Sequence, residues 1–276
     1  MAHFRTDLAE ESHQHYRLSQ GHDHDGVRLR RYQRNMFSIT DLQVDTENAA
    51  RELSKPQGRY ITASCSNLSL SDSRWVYSAA RELADLLRQL LPPTGMVLIL
   101  GLGNRNITPD RLGSAAMEHL IVTRHLIDAI PETFGSMRPV CALAPGVLGI
   151  TGIETGEIAL ALVQKLHPAA VLVIDALCAA EPERLCTCFQ FSDGGIAPGS
   201  GAGNHREALT RETLGVPVIA TGVPTVIARG TEAKPLLMTP TDIDLVIEKC
   251  ARILGYAADM ALHGNLSAEE LDAFLC

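Results

Sequence analysis

Several familiar signatures are missing from this chain. No apolar run approaches the roughly 20 residues that a bilayer crossing needs, which excludes a membrane-spanning helix. The N-terminus, MAHFRTDLAEES, lacks the apolar stretch of a signal peptide, so the protein is expected to stay in the cytoplasm. Positive charge is in deficit: 24 Lys and Arg face 32 Asp and Glu, a net of −8, which argues against broad electrostatic binding of nucleic acid. No CxxC pair occurs among the seven cysteines. An odd number of cysteines without a secretion signal reads as reduced thiols. Cys186 and Cys188 would share a strand face, with Cys178 upstream, but the spacing fits no zinc module and they read as small buried hydrophobes. No HExxH motif is present, nor the Gly-Lys-Ser/Thr of a phosphate-binding loop. A nucleophile elbow around Ser200 would need glycine where Pro198 and Ala202 stand.

What is present describes an ordinary globular protein: 276 residues, 46% apolar and 20% charged. Short apolar runs alternate with amphipathic stretches. Strands are expected at Arg59–Cys65, Met96–Leu100, Val140–Leu143, Ala170–Ile174, Cys186–Phe191 and Pro217–Thr221. Helices are expected from Ser71 or Ser73 to Leu91, Pro109 to Ile130, Thr155 to Leu166 and Asn204 to Leu214. Thr239-Pro240-Thr241-Asp242 opens a further long helix, and Ser267-Ala268-Glu269-Glu270 is a capping box before a short one. Such alternation predicts an α/β fold: a single three-layer α/β/α domain over residues 1–276 with a mostly parallel sheet. The polar first 55 residues hold five of the ten histidines and read as an N-terminal appendage. There His22-Asp23-His24-Asp25 is expected to be a solvated loop, and the arginines 28, 30, 31 and 34 an exposed edge strand.

Open α/β sheets collect ligands outside the carboxyl ends of their strands. Two aspartates fall there. Asp110 follows the loop Gly101-Leu102-Gly103-Asn104, and Asp175 follows the apolar strand Val171–Ile174. A dinucleotide fingerprint in the first loop would need glycine at Asn106. Asp110 could serve only the helix dipole, and Asp175 only a turn. Brought together, two carboxylates cannot both ionise easily, and the pair can act on water as acid and base. A third feature, Pro198-Gly199-Ser200-Gly201-Ala202-Gly203-Asn204-His205-Arg206, has the look of a backbone nest able to hold an anion or a carbonyl oxygen. The expected substrate and oxyanion contacts are therefore Gly103, Asn104, Gly199, Ser200, Gly201, Asn204 and Arg206. No metal or other cofactor is called for. A metal-assisted variant would have only His125 and His205 to draw on.

The longer motifs resemble one family. Gly101–Asn104 with Thr108-Pro109-Asp110-Arg111-Leu112-Gly113, Thr123–Leu126, Ala144–Thr155, Ile174–Leu177, Pro198–Arg206, Glu212–Ile219, Gly222–Val226 and Met238–Pro240 are similar, in order, to the germination endopeptidase of endospore-forming bacteria. Phe4–Ala9 resembles that family's N-terminal segment. The resemblance implies an endopeptidase of the spore core that degrades small acid-soluble spore proteins during germination. It implies an atypical aspartic-type mechanism with Asp110 and Asp175 as the catalytic pair, a fold related to hydrogenase-maturation peptidases, and a homotetramer. The chain departs from the family pattern at Asp193-Gly194-Gly195-Ile196, at Cys178-Ala179-Ala180, and between Val226 and Met238, which looks shortened. Only Met1–Phe4 precede Arg5, where the family carries a propeptide, so no large N-terminal self-cleavage is expected. A diverged relative that binds or assembles without cleaving is the alternative.

Overall fold

The computed structural model describes residues 5–65, 72–199, 207–231, 234–264 and 266–275. Its strands are β1 (Val27–Arg34), β2 (Phe37–Val44), β3 (Gly58–Ser64), β4 (Val97–Gly101), β5 (Val140–Leu143), β6 (Ala170–Ala179), β7 (Cys188–Ser192), β8 (Val218–Thr231) and β9 (Lys234–Met238). They form one sheet in the order β1-β2-β3-β7-β8-β6-β4-β5, with β9 paired to β8. The half β8-β6-β4-β5 is parallel and the half from β1 to β8 antiparallel. The helices are α1 (Ala9–Gln20), α2 (Glu47–Leu53), α3 (Ser73–Arg88), α4 (Leu112–Ala116), α5 (Pro131–Phe134), α6 (Leu148–Thr151), α7 (Thr155–Leu166), α8 (Arg211–Leu214), α9 (Ile243–His263) and α10 (Ala268–Leu275).

Strand periodicity of two divides the parallel half into two cores. Val97, Ile99, Leu172, Ile174, Ile219 and Val223 pack with α3 and α9. Leu98, Leu100, Val171, Val173 and Val218 pack on the other face with Ala159 and Val163 of α7 and Leu214 of α8. The three layers expected from the alternating pattern are thus built. No helix of the described residues is long and apolar enough to cross a membrane.

Several local expectations are corrected. The segment expected as an N-terminal appendage contributes two strands to the sheet: β1 pairs with β2, β2 with β3, and β3 joins β7 through Tyr60↔Ser192 to Ser64↔Cys188. The arginine-rich β1 is the edge strand, as its alternation suggested. His24, expected in solvent, is buried beside Glu52, with Nε2 3.1 Å from its carboxylate. Asp72, whose side chain accepts from Arg74 N at 2.8 Å, caps α3. Thr239 does not cap α9; Asp242 occupies that position, and Thr239 Oγ1 donates to the Thr225 carbonyl. The capping box at Ser267 and Glu270 forms as written. Of the helix expected from Asn204 to Leu214, residues 204–206 lie outside the described residues and only Arg211–Leu214 is helical.

The helix expected from Pro109 to Ile130 is broken into a 3-10 turn at Thr108–Asp110, α4, and a second 3-10 turn at Met117–His119. His125 therefore sits in a turn rather than a helix. Tertiary contacts decide the break. Gly113 lies so close to the sheet that a Cβ would stand 2.3 Å from the Ile174 carbonyl oxygen. Asp259 of α9 then takes the free Ile121 N–H on both carboxyl oxygens, at 3.0 and 3.2 Å. Periodicity cannot show a cap supplied by a residue 138 positions away.

That carboxyl is fully buried, and desolvation pushes its pKa well above the usual carboxylate range. With the folded pKa above the unfolded one, the folded state holds the extra proton. Stability is then present at low pH and lost as pH rises past the unfolded value. His263, one turn away, is lowered by burial and acts in the opposite sense. The clean measurement is a difference. Asp259→Asn, which keeps an acceptor for Ile121 N, is expected to gain stability relative to wild type as pH rises from 4 to 8. Urea titrations at each pH check this; a difference that is flat or falls with pH would contradict the assignment.

Candidate active site

β4 and β6 run side by side as far as Gly101↔Ile174. There β4 leaves the sheet, and Leu102 N donates to the Ile174 carbonyl at 2.8 Å as it turns away. β6 continues five residues further, held on its other edge by β8 with Asp175↔Gly222. Asp175 therefore lies inside a strand rather than at its end, as the first residue beyond the departure of β4. The expectation missed this because the apolar run stops at Ile174 while the pairing does not. The strand's alternation places Asp175 on the face of Val171 and Val173, toward α7. It is 4% exposed, and its Oδ1 accepts from Ala176 N at 2.9 Å.

Asp110 closes the turn that β4 leads into. Ile107 N donates to the Asn104 carbonyl at 3.0 Å, and Asp110 N to the Ile107 carbonyl at 2.8 Å. Asn106 N donates to Asn104 Oδ1 at 3.0 Å. The Asn104 N–H, expected as an oxyanion donor, donates instead to Asp110 Oδ2 at 2.7 Å. Asp110 is thus an acceptor for its own loop, a more specific tie than the helix-dipole role. Gly103 takes φ +100, where a side chain is disfavoured, and a Cβ there would lie 1.8 Å from the Asp110 carbonyl oxygen.

The two aspartates line one pocket of about 40 Å³. Gly103, Leu102, Pro198 and Gly199 share its wall, as do Gly146, Val147 and Thr155. Sequence reasoning placed Gly103 and Gly199 here. Ser200, Gly201, Asn204 and Arg206, and with them His205, lie outside the described residues. It did not foresee Gly146, Val147 or Thr155. The signal available was Pro145-Gly146 just beyond β5, where Gly146 takes φ +79, and Thr155, the first residue of a 12-residue helix. The positive end of that helix's dipole faces a pocket holding two acids.

Beyond Gly222 the sheet carries a second cavity, about 90 Å³, between Gln190, Ser192, Ala220 and Tyr60 on the sheet and Lys55 and Asp7 above it. Asp7 is fixed there by exchange with β6: its N–H donates to the Cys178 carbonyl and its Oδ2 accepts from Cys178 N, both at 2.8 Å. Burial pushes the Lys55 ammonium down from its ordinary value, against the opposing pull of Asp7 and Glu11.

Burial pushes the thiols of Cys178, Cys186 and Cys188 up to about 12. Such thiols remain protonated and poorly nucleophilic. Among the described residues no group of three His, Cys, Asp or Glu side chains is arranged to hold a metal ion. His125 is exposed, and His119 is engaged with Glu248 at 2.9 Å.

Comparison with known proteins identifies the family of the chain. A family model described as germination protease matches residues 4–235. The germination protease of Clostridium perfringens is 36% identical, with all of both chains covered. That of Clostridium acetobutylicum is 42% identical over 89% of this chain and 75% of its own length, and that of Bacillus cereus 39% identical over 90% and 68%. A solved nickel–iron hydrogenase maturation protease from Thermococcus kodakarensis aligns with 64% of this chain and 98% of its own at 17% identity and a TM-score of 0.37. A match of this length, with 36% identity sustained from end to end of a curated relative, establishes that the chain belongs to the germination protease family.

Proposed function

We propose that the protein is an endopeptidase that hydrolyses small acid-soluble spore proteins during germination, using Asp110 and Asp175 to activate water. The observation that carries this reading is that Asp110, on the turn that follows β4, and Asp175, within β6, line one pocket. One aspartate, ionised, takes a proton from water as it attacks the scissile carbonyl. The other, protonated, polarises the carbonyl by a hydrogen bond to its oxygen; as the C–N bond breaks and the carbonyl re-forms, the proton taken from water passes to the leaving amine, and the pair is restored. The two protons belong to the pair rather than to either residue. Asn104 N–H keeps Asp110 oriented, so oxyanion stabilisation falls to Gly199 on the pocket wall and to the α7 N-terminus. The same reading takes the spore core as the site of action and a homotetramer as the assembly.

Incubating the purified protein with a small acid-soluble spore protein, and reading the fragments by mass spectrometry, tests the activity. Discrete internal cleavage is expected, insensitive to chelators and to thiol reagents. Intact substrate after prolonged incubation would favour a binding protein instead.

A further inference from the structure

The pairing of β8 with β6 contains one irregularity. Ala176 pairs with Val223 and Leu177 with Pro224, but Cys178 pairs with Val226. Thr225 is passed over. It is the extra residue of a β-bulge, the device by which a strand re-aims a side chain without leaving the sheet. The bulge lies three residues beyond Gly222, the partner of Asp175.

Thr225 is 1% exposed, and its Oγ1 donates to the Pro109 carbonyl at 2.7 Å. Pro109 immediately precedes Asp110 in the 3-10 turn, and as a proline it has no N–H of its own to tie the turn down. The Thr225 carbonyl accepts in turn from Thr239 Oγ1 at 2.8 Å. A continuous chain of hydrogen bonds therefore runs from the segment before α9, through the bulge, to the peptide that carries Asp110. Asp175 is set by β6, and Asp110 sits in a loop that left β4 nine residues earlier. Through the Thr225 hydroxyl, that loop is anchored to the strand that flanks Asp175.

We infer that Thr225 is a positioning residue for the reaction: its hydroxyl, presented by the bulge, fixes the distance between the Asp110 and Asp175 carboxyl groups. Thr225 does not line the pocket that holds the two aspartates. Its effect rests on the aspartate-pair reading above, whereas the anchoring itself does not.

The test compares Thr225→Val, which keeps the shape and removes the donor, with Thr225→Ser, which keeps the donor. Two readouts are taken on the full-length protein. In hydrogen exchange, Thr225→Val is expected to speed exchange in the peptide spanning residues 103–112 by about tenfold or more, with β6 unchanged, while Thr225→Ser stays near wild type. In cleavage of a small acid-soluble spore protein, Thr225→Val is expected to lower kcat on the order of 10²-fold, the scale of a displacement near 1 Å. KM should remain within about twofold, and Thr225→Ser should restore most of kcat. If Thr225→Val does not fold, Thr239→Val, which loosens the Thr225 carbonyl and leaves Pro109 untouched, gives a smaller loss of the same sign in both readouts. Unchanged exchange at 103–112 overturns the anchoring, and changed exchange with wild-type kcat overturns the positioning role. Changed exchange with Asp110→Asn fully active overturns the aspartate-pair reading and leaves the anchoring supported.

Discussion

Asp110→Asn and Asp175→Asn are each expected to reduce cleavage on the order of 10²–10⁴-fold or more, while leaving the fold intact. An amide of the same shape cannot take a proton from water or exchange roles with its partner. The structure adds a reason to expect intact folding. Asp110 Oδ2 and Asp175 Oδ1 both act as acceptors toward backbone N–H groups, of Asn104 and Ala176, and the asparagine oxygen can occupy either place. The double variant is expected to be scarcely worse than either single one, because groups that act as a unit lose their function together. Circular dichroism and kcat, measured on the two singles and the double, check this. Near wild-type cleavage by either single variant would show the mechanism to be wrong. Additive losses in the double would show two independent roles rather than a pair.

The placement of these acids shows what a sequence can and cannot disclose. Asp175 was legible because Val171-Leu172-Val173-Ile174 is apolar on both faces, and a carboxylate directly after such a run stands out. Asp110 was legible as the acid beyond Gly101-Leu102-Gly103, whose glycines announce a tight turn. Neither position revealed which neighbours would orient it. Asn104 looked like a donor for substrate and turned out to hold Asp110, a matter of a few ångströms in a loop. β2, which joins the edge strand β1 to the rest of the sheet, was missed for another reason. Its apolar alternation, with Phe37, Ile39, Leu42 and Val44 buried, is interrupted by Thr40 and Asp41. Thr40 is buried against Glu10, so a polar contact stands where the pattern wanted an apolar one. The broken helix after Asp110 depends on Asp259, and the bulge at Thr225 on register with β6. Both are long-range facts with no local signature.

Gly103 supplies the other large expected effect, because strain and displacement act there on the same group. At φ +100 a residue with a Cβ occupies a region that L side chains rarely adopt, at a cost of about 1–3 kcal/mol. The added carbon would also stand 1.8 Å from the Asp110 carbonyl oxygen and 3.2 Å from its Oδ1. The obstructing atom is backbone, so no rotamer change relieves the clash and the turn itself must shift. What moves is Asp110, away from the position that Asn104 N–H and Thr225 Oγ1 define. Gly103→Ala is therefore expected to cost more stability than the strain alone and to lower kcat by about 10²-fold, through misplacement of a reacting group. Gly21→Ala separates the two effects. Gly21 has φ +80 at the end of α1 with nothing within 4 Å of the added carbon, so it should show the strain and leave kcat unchanged. Urea denaturation and steady-state kinetics on both variants make the comparison. A Gly103→Ala protein that is destabilised no more than Gly21→Ala and cleaves at the wild-type rate would mean that the turn accommodates the carbon without moving Asp110.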